Sequence, residues 1–200
     1  MTTQQPEISM TFADAQRDMR FAYTGGAQGI FTSATVWLIA AIVATVVSPE
    51  RAIWALFIGG MFIHPVSVLL TKVIGQSGKH STSNPLGSLA MATTFWMILM
   101  MPLAYVASRQ RIEWFFPAML FIIGGRYLTF STIFGNRTYR LCGAALAIAG
   151  VALGLVTASP EIGAFSGAAI EAVFAVTIFI TSRREIAHSK RVAPSGGQQA

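Results

Sequence analysis

Three ionisable side chains lie deep inside long apolar stretches of this chain: His64, Arg126 and Glu171. Inserting a charged side chain at the centre of a membrane costs about 2.5–3.5 kcal/mol on insertion scales. Such a residue is therefore expected either to pair with another group or to have a functional role. Histidine and glutamate can exchange protons, and arginine can hold anions. We therefore predict that these residues line a transport pathway, with Arg126 and Glu171 paired so that neither charge is left alone.

The spacing of the neighbouring residues indicates which way these groups point. Glu171 continues a ridge of small residues spaced by four, which favours close helix approach, so we expect it to face another helix. His64 lies on the most polar face of its stretch, next to the helix-kinking Pro65. The supporting residues that we predict are Gly60, Ser67, Gly125, Thr129, Gly163 and Gly167.

The three groups are also predicted to share a depth. Their stretches run in the same direction, and each group lies roughly 14–18 Å from the start of its stretch at the rise of an α-helix. The alternative is structural: a buried salt bridge and a hydrogen-bonded histidine that fix helix register. For His64 alone, there are two alternatives: it carries protons, or it is a structural histidine whose ring is hydrogen-bonded in the core.

The bulk composition requires lipid around much of the surface. Of the 200 residues, 54% are hydrophobic and only 11% are charged, and the mean hydropathy is +0.59. Soluble domains carry about 25% charged residues. We predict an all-α, polytopic membrane bundle of six transmembrane helices, each near the ~20 residues that span a bilayer. The predicted spans are Ala27–Val47, Ala52–Ile74, Leu86–Ser108, Trp114–Phe134, Leu141–Thr157 and Ile162–Thr181.

A short amphipathic segment precedes the first span. From Phe12 to Tyr23, apolar residues recur at helical spacing with charged residues on the other faces, which predicts an interfacial helix that ends at Gly25 and Gly26. We therefore divide the chain into a tail with this helix (1–24), the transmembrane domain (25–182) and a disordered basic tail (183–200).

The basic residues indicate an orientation. Ten of the fourteen fall on the side of both chain ends, three fall on the other side, and Arg126 lies within a span. By the positive-inside rule, both termini are predicted to be cytoplasmic, with the lipid bilayer as partner. The net charge of +6 thus reflects topology, and we do not expect nucleic-acid binding.

No motif supports an enzyme, a metal site or a cofactor. The run from Gly163 to Gly167 suggests an intramembrane serine protease, but Ala164 replaces the expected glycine and no later span supplies a histidine. The three histidines, His64, His80 and His188, lack the spacing of metal ligands. The single Cys142 cannot form an internal disulfide, and we interpret it as a small packing residue.

Three segments carry a family resemblance. Phe12–Phe21, Ile112–Leu120 and Gly124–Phe130 resemble a family of uncharacterised bacterial multi-pass membrane proteins, and the resemblance extends over residues 10–185. It implies a membrane protein of unknown function, located in a bacterial inner membrane, and supplies no site.

Two functions remain open at this point. The first is a transporter or channel, acting as a homo-oligomer, that moves a small solute or ion of unknown identity with the help of the polar trio. The second is a non-enzymatic scaffold or sensor that acts through the segment Phe12–Tyr23 and the polar loop Gly75–Pro85, with the trio purely structural.

Overall fold

The chain folds into seven α-helices, as seen in a computed structural model that describes residues 10–192. Over these residues no strand occurs, and six helices are long and apolar enough to cross a membrane, which confirms the predicted fold class. The first helix is the short amphipathic one. The helices are α1 (Phe12–Tyr23), α2 (Ala27–Val46), α3 (Pro49–Val73), α4 (Pro85–Gln110), α5 (Phe115–Phe134), α6 (Thr138–Leu155) and α7 (Pro160–Val192).

The starts of α3 and α4 are encoded locally. Each begins with a proline, whose missing N–H costs nothing at the first position of a helix. The preceding Ser48 and Asn84 accept hydrogen bonds from the backbone N–H groups of Arg51 (3.2 Å) and Leu86 (2.9 Å). Only two residues separate α2 from α3, so these helices pack as antiparallel neighbours.

The break between α1 and α2 occurs at the predicted glycines. Thr24, Gly25 and Gly26 have φ angles of 50°, 64° and 82°, in the left-handed region where glycine is unstrained. Gly25 also packs tightly, because a Cβ there would collide with the Ser182 hydroxyl. The turn directs α1 away from α2 and across one end of the bundle, which we call the α1 end.

Two groups of helices form the bundle. Helix α2 packs between α3 and α7, while α5 packs against α6 and α4, and α7 also contacts α5 and α6. Helices α3 and α4 are mostly exposed, with large apolar side chains such as Met61 and Leu99 facing outward. Helix α6 packs closely on α5, because the backbones of Gly143 and Gly150 lie against it.

Helix α1 is held to the bundle by its apolar face and by three polar contacts. Ala15, Met19 and Ala22 are buried. Gln16 Nε2 donates to the carbonyl of Thr132 (2.7 Å), and Arg20 Nη1 donates to that of Phe134 (2.8 Å) at the end of α5. Arg20 Nε also pairs with Glu185 of α7 (3.1 Å). The segment therefore bridges α5 and α7.

The loop Gly75–Pro85 folds onto α1 instead of standing free in solvent. Asn84 Nδ2 donates to the carbonyl of Ala15 (2.9 Å) and to Asp18 Oδ2 (2.8 Å). The backbone N–H of Ser81 donates to the same Asp18 oxygen (2.9 Å). Asp18 is thus the point at which the α3–α4 connection is fastened to α1.

Because Asn84 is buried and its side-chain amide makes three hydrogen bonds, we expect Asn84→Ala to destabilise the protein by about 1–3 kcal/mol, the usual cost of leaving buried polar groups unpaired. A lower thermal midpoint in detergent would report it. Thr82→Ala, an exposed position in the same loop, is the matched control and should leave the midpoint unchanged. Equal midpoints for both variants would mean that the loop is not fastened through Asn84.

The last helix is longer than the sequence predicted. Residues 183–192 were assigned to a disordered tail, but α7 continues to Val192. Its extension is stabilised because Ile186 is buried and Glu185 pairs with Arg20 of α1, contacts that a linear reading of the sequence does not reveal. The remainder of both predicted tails, 1–9 and 193–200, lies outside the described residues.

Candidate functional site

Glu171 is completely buried on α7, and it faces the other helices as predicted. Gly163, Gly167 and Ala175, which share its face, are buried too. The small residues bring α7 close to its neighbours: a Cβ at Gly167 would lie 2.6 Å from the ring of Trp37 on α2. The ridge therefore places a carboxyl group in the interior, 11 residues from the first residue of α7.

The Glu171 carboxyl is only partly satisfied. The Tyr127 hydroxyl of α5 donates to Oε1 at 3.0 Å. Ser33 and Trp37 of α2 lie beside the carboxyl. Nevertheless, Oε2 of Glu171 and Nε1 of Trp37 are both buried without a hydrogen-bond partner among the described residues. The carboxyl thus has one hydrogen bond, from Tyr127, and the two other donors beside it, Ser33 and Trp37, are also neutral.

The predicted Arg126–Glu171 pair is wrong. The Arg126 guanidinium lies beyond ion-pair distance from the carboxyl and is directed at α4, where Nη2 donates to Thr94 Oγ1 (3.0 Å). Successive residues of an α-helix differ in direction by about 100°. Because Tyr127 takes the face of α5 towards Glu171, its neighbour Arg126 must take another.

Arg126 occupies a mixed environment between α4 and α5. Its guanidinium lies 3.6 Å from the sulfur of Met97 and 4.8 Å above the ring of Phe130. The side chain is half-buried, and its Nε is buried without a partner in the described part of the chain. The adjacent Gly125 is exposed and Thr129 is half-buried. A cation held by neutral groups in this way retains the capacity to bind an anion.

His64 does not join the cluster. It follows the first residue of α3 by 15 positions, against 11 for Arg126 on α5, so it lies about one helical turn further along its span. Its side chain is exposed. The nearby Ser67 hydroxyl is bonded within the same helix, since Ser67 Oγ donates to the His64 carbonyl (2.8 Å). Gly60 has open space beside it.

The residues that surround Glu171 were not predicted from the sequence. Tyr127 was passed over because it is an ordinary membrane-helix residue, although it directly follows Arg126. The signal on α2 was stronger: Ser33, which lies beside the carboxyl, belongs to a predicted span with two further buried polar side chains, Gln28 and Thr32. A concentration of polar residues within one span was thus a signal that could have been followed in addition to charge.

The described residues do not contain a group of three side chains that could hold a metal ion. Cys142 of α6 is a free, buried thiol, in keeping with a packing role. The carboxyl of Glu171 can bind and release a proton. The hydroxyl of Tyr127 donates a hydrogen bond to this carboxyl, and Ser33 lies beside it.

Comparison with known proteins yields one match. A family model described as a family of unknown function (DUF7010) matches residues 12–181. Neither a curated protein nor a solved structure matches this chain.

Proposed function

Because the chain belongs to the DUF7010 family, whose function is unknown, we propose a function from its geometry: a small membrane transporter that couples the movement of a small solute to protonation of Glu171. The membership agrees with the resemblance in the sequence and assigns no site. The proposal therefore depends on the described residues alone.

One observation carries this proposal: a buried carboxyl group that is not neutralised by the nearby arginine. A purely structural acid in a membrane is expected to be paired, because an unpaired buried charge is strongly destabilising. Glu171 instead has only neutral donors around it: Tyr127 at 3.0 Å, with Ser33 and Trp37 beside the carboxyl. Such an acid is stable when protonated and can lose its proton when water or solute reaches it.

Helix α5 supplies a physical link between the proton and the solute. Tyr127 contacts Glu171, and the adjacent Arg126 faces α4, which is the less buried side of the bundle. We assign Arg126 to the solute, with preference for an anionic group, and Glu171 to the proton. A rotation or shift of α5 would alter both contacts together, which is what coupling requires.

The proposal also includes an orientation, an oligomeric state and a size of solute. We place both termini in the cytoplasm on the basis of the positive-inside count, and we place the protein in a bacterial inner membrane because its sequence resembles bacterial multi-pass proteins. The exposed apolar faces of α3 and α4 suit lipid or a second copy of the chain, and we propose a homo-oligomer. Six spans enclose little volume, so the solute is small.

Infrared difference spectroscopy tests the proton-binding role directly. We expect the lipid-reconstituted protein to show a protonated carboxyl C=O band that responds to pH and disappears in Glu171→Gln. Glu161→Gln, in the first turn of the same helix, is the matched control and should retain the band. A spectrum that Glu171→Gln leaves unchanged over the whole working pH range would contradict the proposal.

A scaffold or sensor is the second candidate. It is favoured by the joint surface that α1 and the loop Gly75–Pro85 form through Asp18 and Asn84. On this hypothesis Glu171 and Arg126 are structural, so the double variant Glu171→Gln, Arg126→Gln would be folded and fully functional. A proton-responsive Glu171 band would favour the transporter.

A further inference from the structure

Helix α3 is joined to α4 and α5 by aromatic side chains at one level of the bundle. The ring centroid of Phe57 on α3 lies 5.2 Å from that of Phe115 on α5, and Trp54 on α3 lies 6.1 Å from Tyr105 on α4. At the α1 end, the loop Gly75–Pro85 also joins α3 to α4. Over the described residues, α3 packs extensively against α2 alone. The stretch of α3 between the two connections, about 24 Å long, therefore has no helix packed along its other side.

Side chains on the facing walls of α3 and α4 are exposed in this stretch. Met61 and His64 follow Phe57 by four and seven residues, so they lie within about 40° of it on the same face of α3. Ile98 precedes Tyr105 by seven residues, within about 20° of it on α4. Met61 is 77% exposed, Ile98 is 50% exposed, and His64 is exposed. Helices packed face to face would bury these side chains, so a cleft lies between α3 and α4.

Arg126 lies on the face of α5 that forms the floor of this cleft. It follows Phe115, whose ring contacts Phe57 of α3, by eleven residues, which places it within about 20° of the same face. Its Nη2 donates to Thr94 Oγ1 (3.0 Å), and Thr94 precedes Tyr105 by eleven residues on the cleft face of α4. The α3–α4 cleft is defined by Met61, His64, Thr94, Ile98 and Arg126.

The histidine and the arginine face one space from different helices. Counted from the contact between Phe57 and Phe115, His64 comes seven residues along α3 and Arg126 eleven along α5, about 11 Å and about 17 Å. Helix α3 begins eight residues before Phe57, whereas α5 begins at Phe115. His64 is therefore further along its own helix than Arg126, yet it lies nearer to the aromatic contacts by about one helical turn.

The cleft offers one cation and a largely apolar surface. Arg126 has only neutral partners, and its Nε is buried without a hydrogen-bond partner in the described part of the chain. Met97, whose sulfur lies 3.6 Å from Nη1, and Met61 are flexible side chains that adapt to ligands of varied shape. A wholly polar anion would leave oxygen atoms against such walls without partners, which costs free energy. The matching ligand has one anionic head group and an apolar tail.

The open side of the cleft faces lipid. Both walls belong to membrane-spanning helices, and large exposed apolar side chains such as Phe62 of α3 and Leu99 of α4 flank the opening. Because lipid tails are as apolar as the walls, an apolar tail gains little on leaving lipid for the cleft. The affinity must therefore come from the head group, which finds in Arg126 a charge-assisted hydrogen-bond donor.

We propose that the α3–α4 cleft binds an amphipathic anion, such as a medium-chain carboxylate, which enters laterally from lipid and places its head group at Arg126. This inference rests on the proposed function for the movement of the solute, and it names the class of that solute. The hydroxyl of Thr94, which accepts from Arg126, can donate its own proton to the head group. Binding forms and breaks no covalent bond.

Photolabelling in lipid vesicles tests the binding site directly, with decanoate that carries a diazirine near the end of its chain. We expect label on Met61 and Ile98 that excess decanoate removes and that excess decanol, the matched neutral chain, leaves in place. Ile148, 69% exposed on α6, reports ordinary lipid contact, and its label should resist both competitors. Equal loss of the cleft label with decanol would mean that any lipid chain fills the cleft, and would overturn the proposal.

Variants of the arginine test which group holds the anion. Arg126→Gln should lower the decanoate-protected label about tenfold, because a hydrogen bond to a charged group is lost. Arg126→Lys keeps the charge and should retain part of the label. Arg51→Gln removes an exposed cation outside the cleft and is the matched control, which should label like the unmodified protein. Undiminished label in a folded Arg126→Gln protein would overturn the proposal.

The outcomes for the cleft and for the proposed function can be distinguished. If decanoate-protected label is found but the Glu171 carboxyl band never responds to pH, the proposed function fails and the cleft stands as an anion-binding site. If the band responds but no protected label appears, the cleft is overturned and the proton-binding role stands. In a Cys142→Ala background, disulfide-linked dimers of Met61→Cys that form equally with and without decanoate would identify a second copy as the occupant, and would also overturn the proposal.

Discussion

Replacing Glu171 with glutamine is expected to abolish proton movement driven by a solute gradient. Glutamine keeps the size and can still accept the hydrogen bond from Tyr127, but it cannot bind and release a proton. Currents on solid-supported membranes, recorded over a panel of small anionic, cationic and neutral solutes, should fall to the level of protein-free liposomes. We expect the active solutes to be anionic because Arg126 is directed away from Glu171.

Graded variants separate this effect from misfolding. Glu171→Asp retains a titratable acid and should retain part of the current. Tyr127→Phe removes only the donor to Oε1, so we expect a reduced current with intact folding. Glu161→Gln should behave like the unmodified protein, since Glu161 lies in the first turn of α7. Solute-driven currents that persist in a folded Glu171→Gln protein would refute the transport role of this residue.

The largest effect on stability is expected at Gly124, where α5 and α6 approach backbone to backbone. A Cβ at this position would lie 2.7 Å from the Gly143 carbonyl oxygen and 2.9 Å from the Ala147 nitrogen. Backbone atoms cannot move aside as a flexible side chain can, so the two helices must separate. We expect Gly124→Ala to cost about 1–3 kcal/mol, the usual range for overpacking a core.

The neighbouring Gly125 offers a matched control for this prediction. A Cβ there meets nothing within 4 Å, and alanine favours helix over glycine by about 1 kcal/mol. Gly125→Ala should therefore raise the thermal midpoint in detergent or leave it unchanged, while Gly124→Ala lowers it. If both substitutions shift the midpoint in the same direction, close contact of α5 and α6 is not what stabilises the bundle.

Much of the fold could be predicted because its signals are local. The predicted spans correspond to α2–α7, with starts that differ by up to three residues, and Phe12–Tyr23 is helix α1. Apolar length and the prolines after Ser48 and Asn84 act within a few residues of chain, so no knowledge of packing is required. The predicted C-terminal end of the last helix was wrong, because the extension of α7 depends on the ion pair of Glu185 with Arg20 and on the burial of Ile186.

The candidate site was predicted only in part. The sequence does not show which side chain of a helix faces which neighbouring helix, because this depends on how the helices pack. Burial of Glu171 followed from its ridge of small residues, a local pattern. The partner of Glu171 did not follow, since a rotation of about 100° on α5 decides whether Arg126 or Tyr127 faces it. His64 was expected to share the depth and surroundings of the other two residues, but its side chain is exposed on α3.

Hydropathy along the chain was sufficient to predict a six-span helical membrane bundle with an acid near its middle. The packing of the helices was needed to show what that acid meets, which is Tyr127 instead of Arg126. Hydrophobic length is a property of each segment, whereas hydrogen-bond partners depend on how helices rotate and pack against one another. Glu171 is therefore a buried acid that is bonded to Tyr127 of α5, while the adjacent Arg126 is bonded to α4.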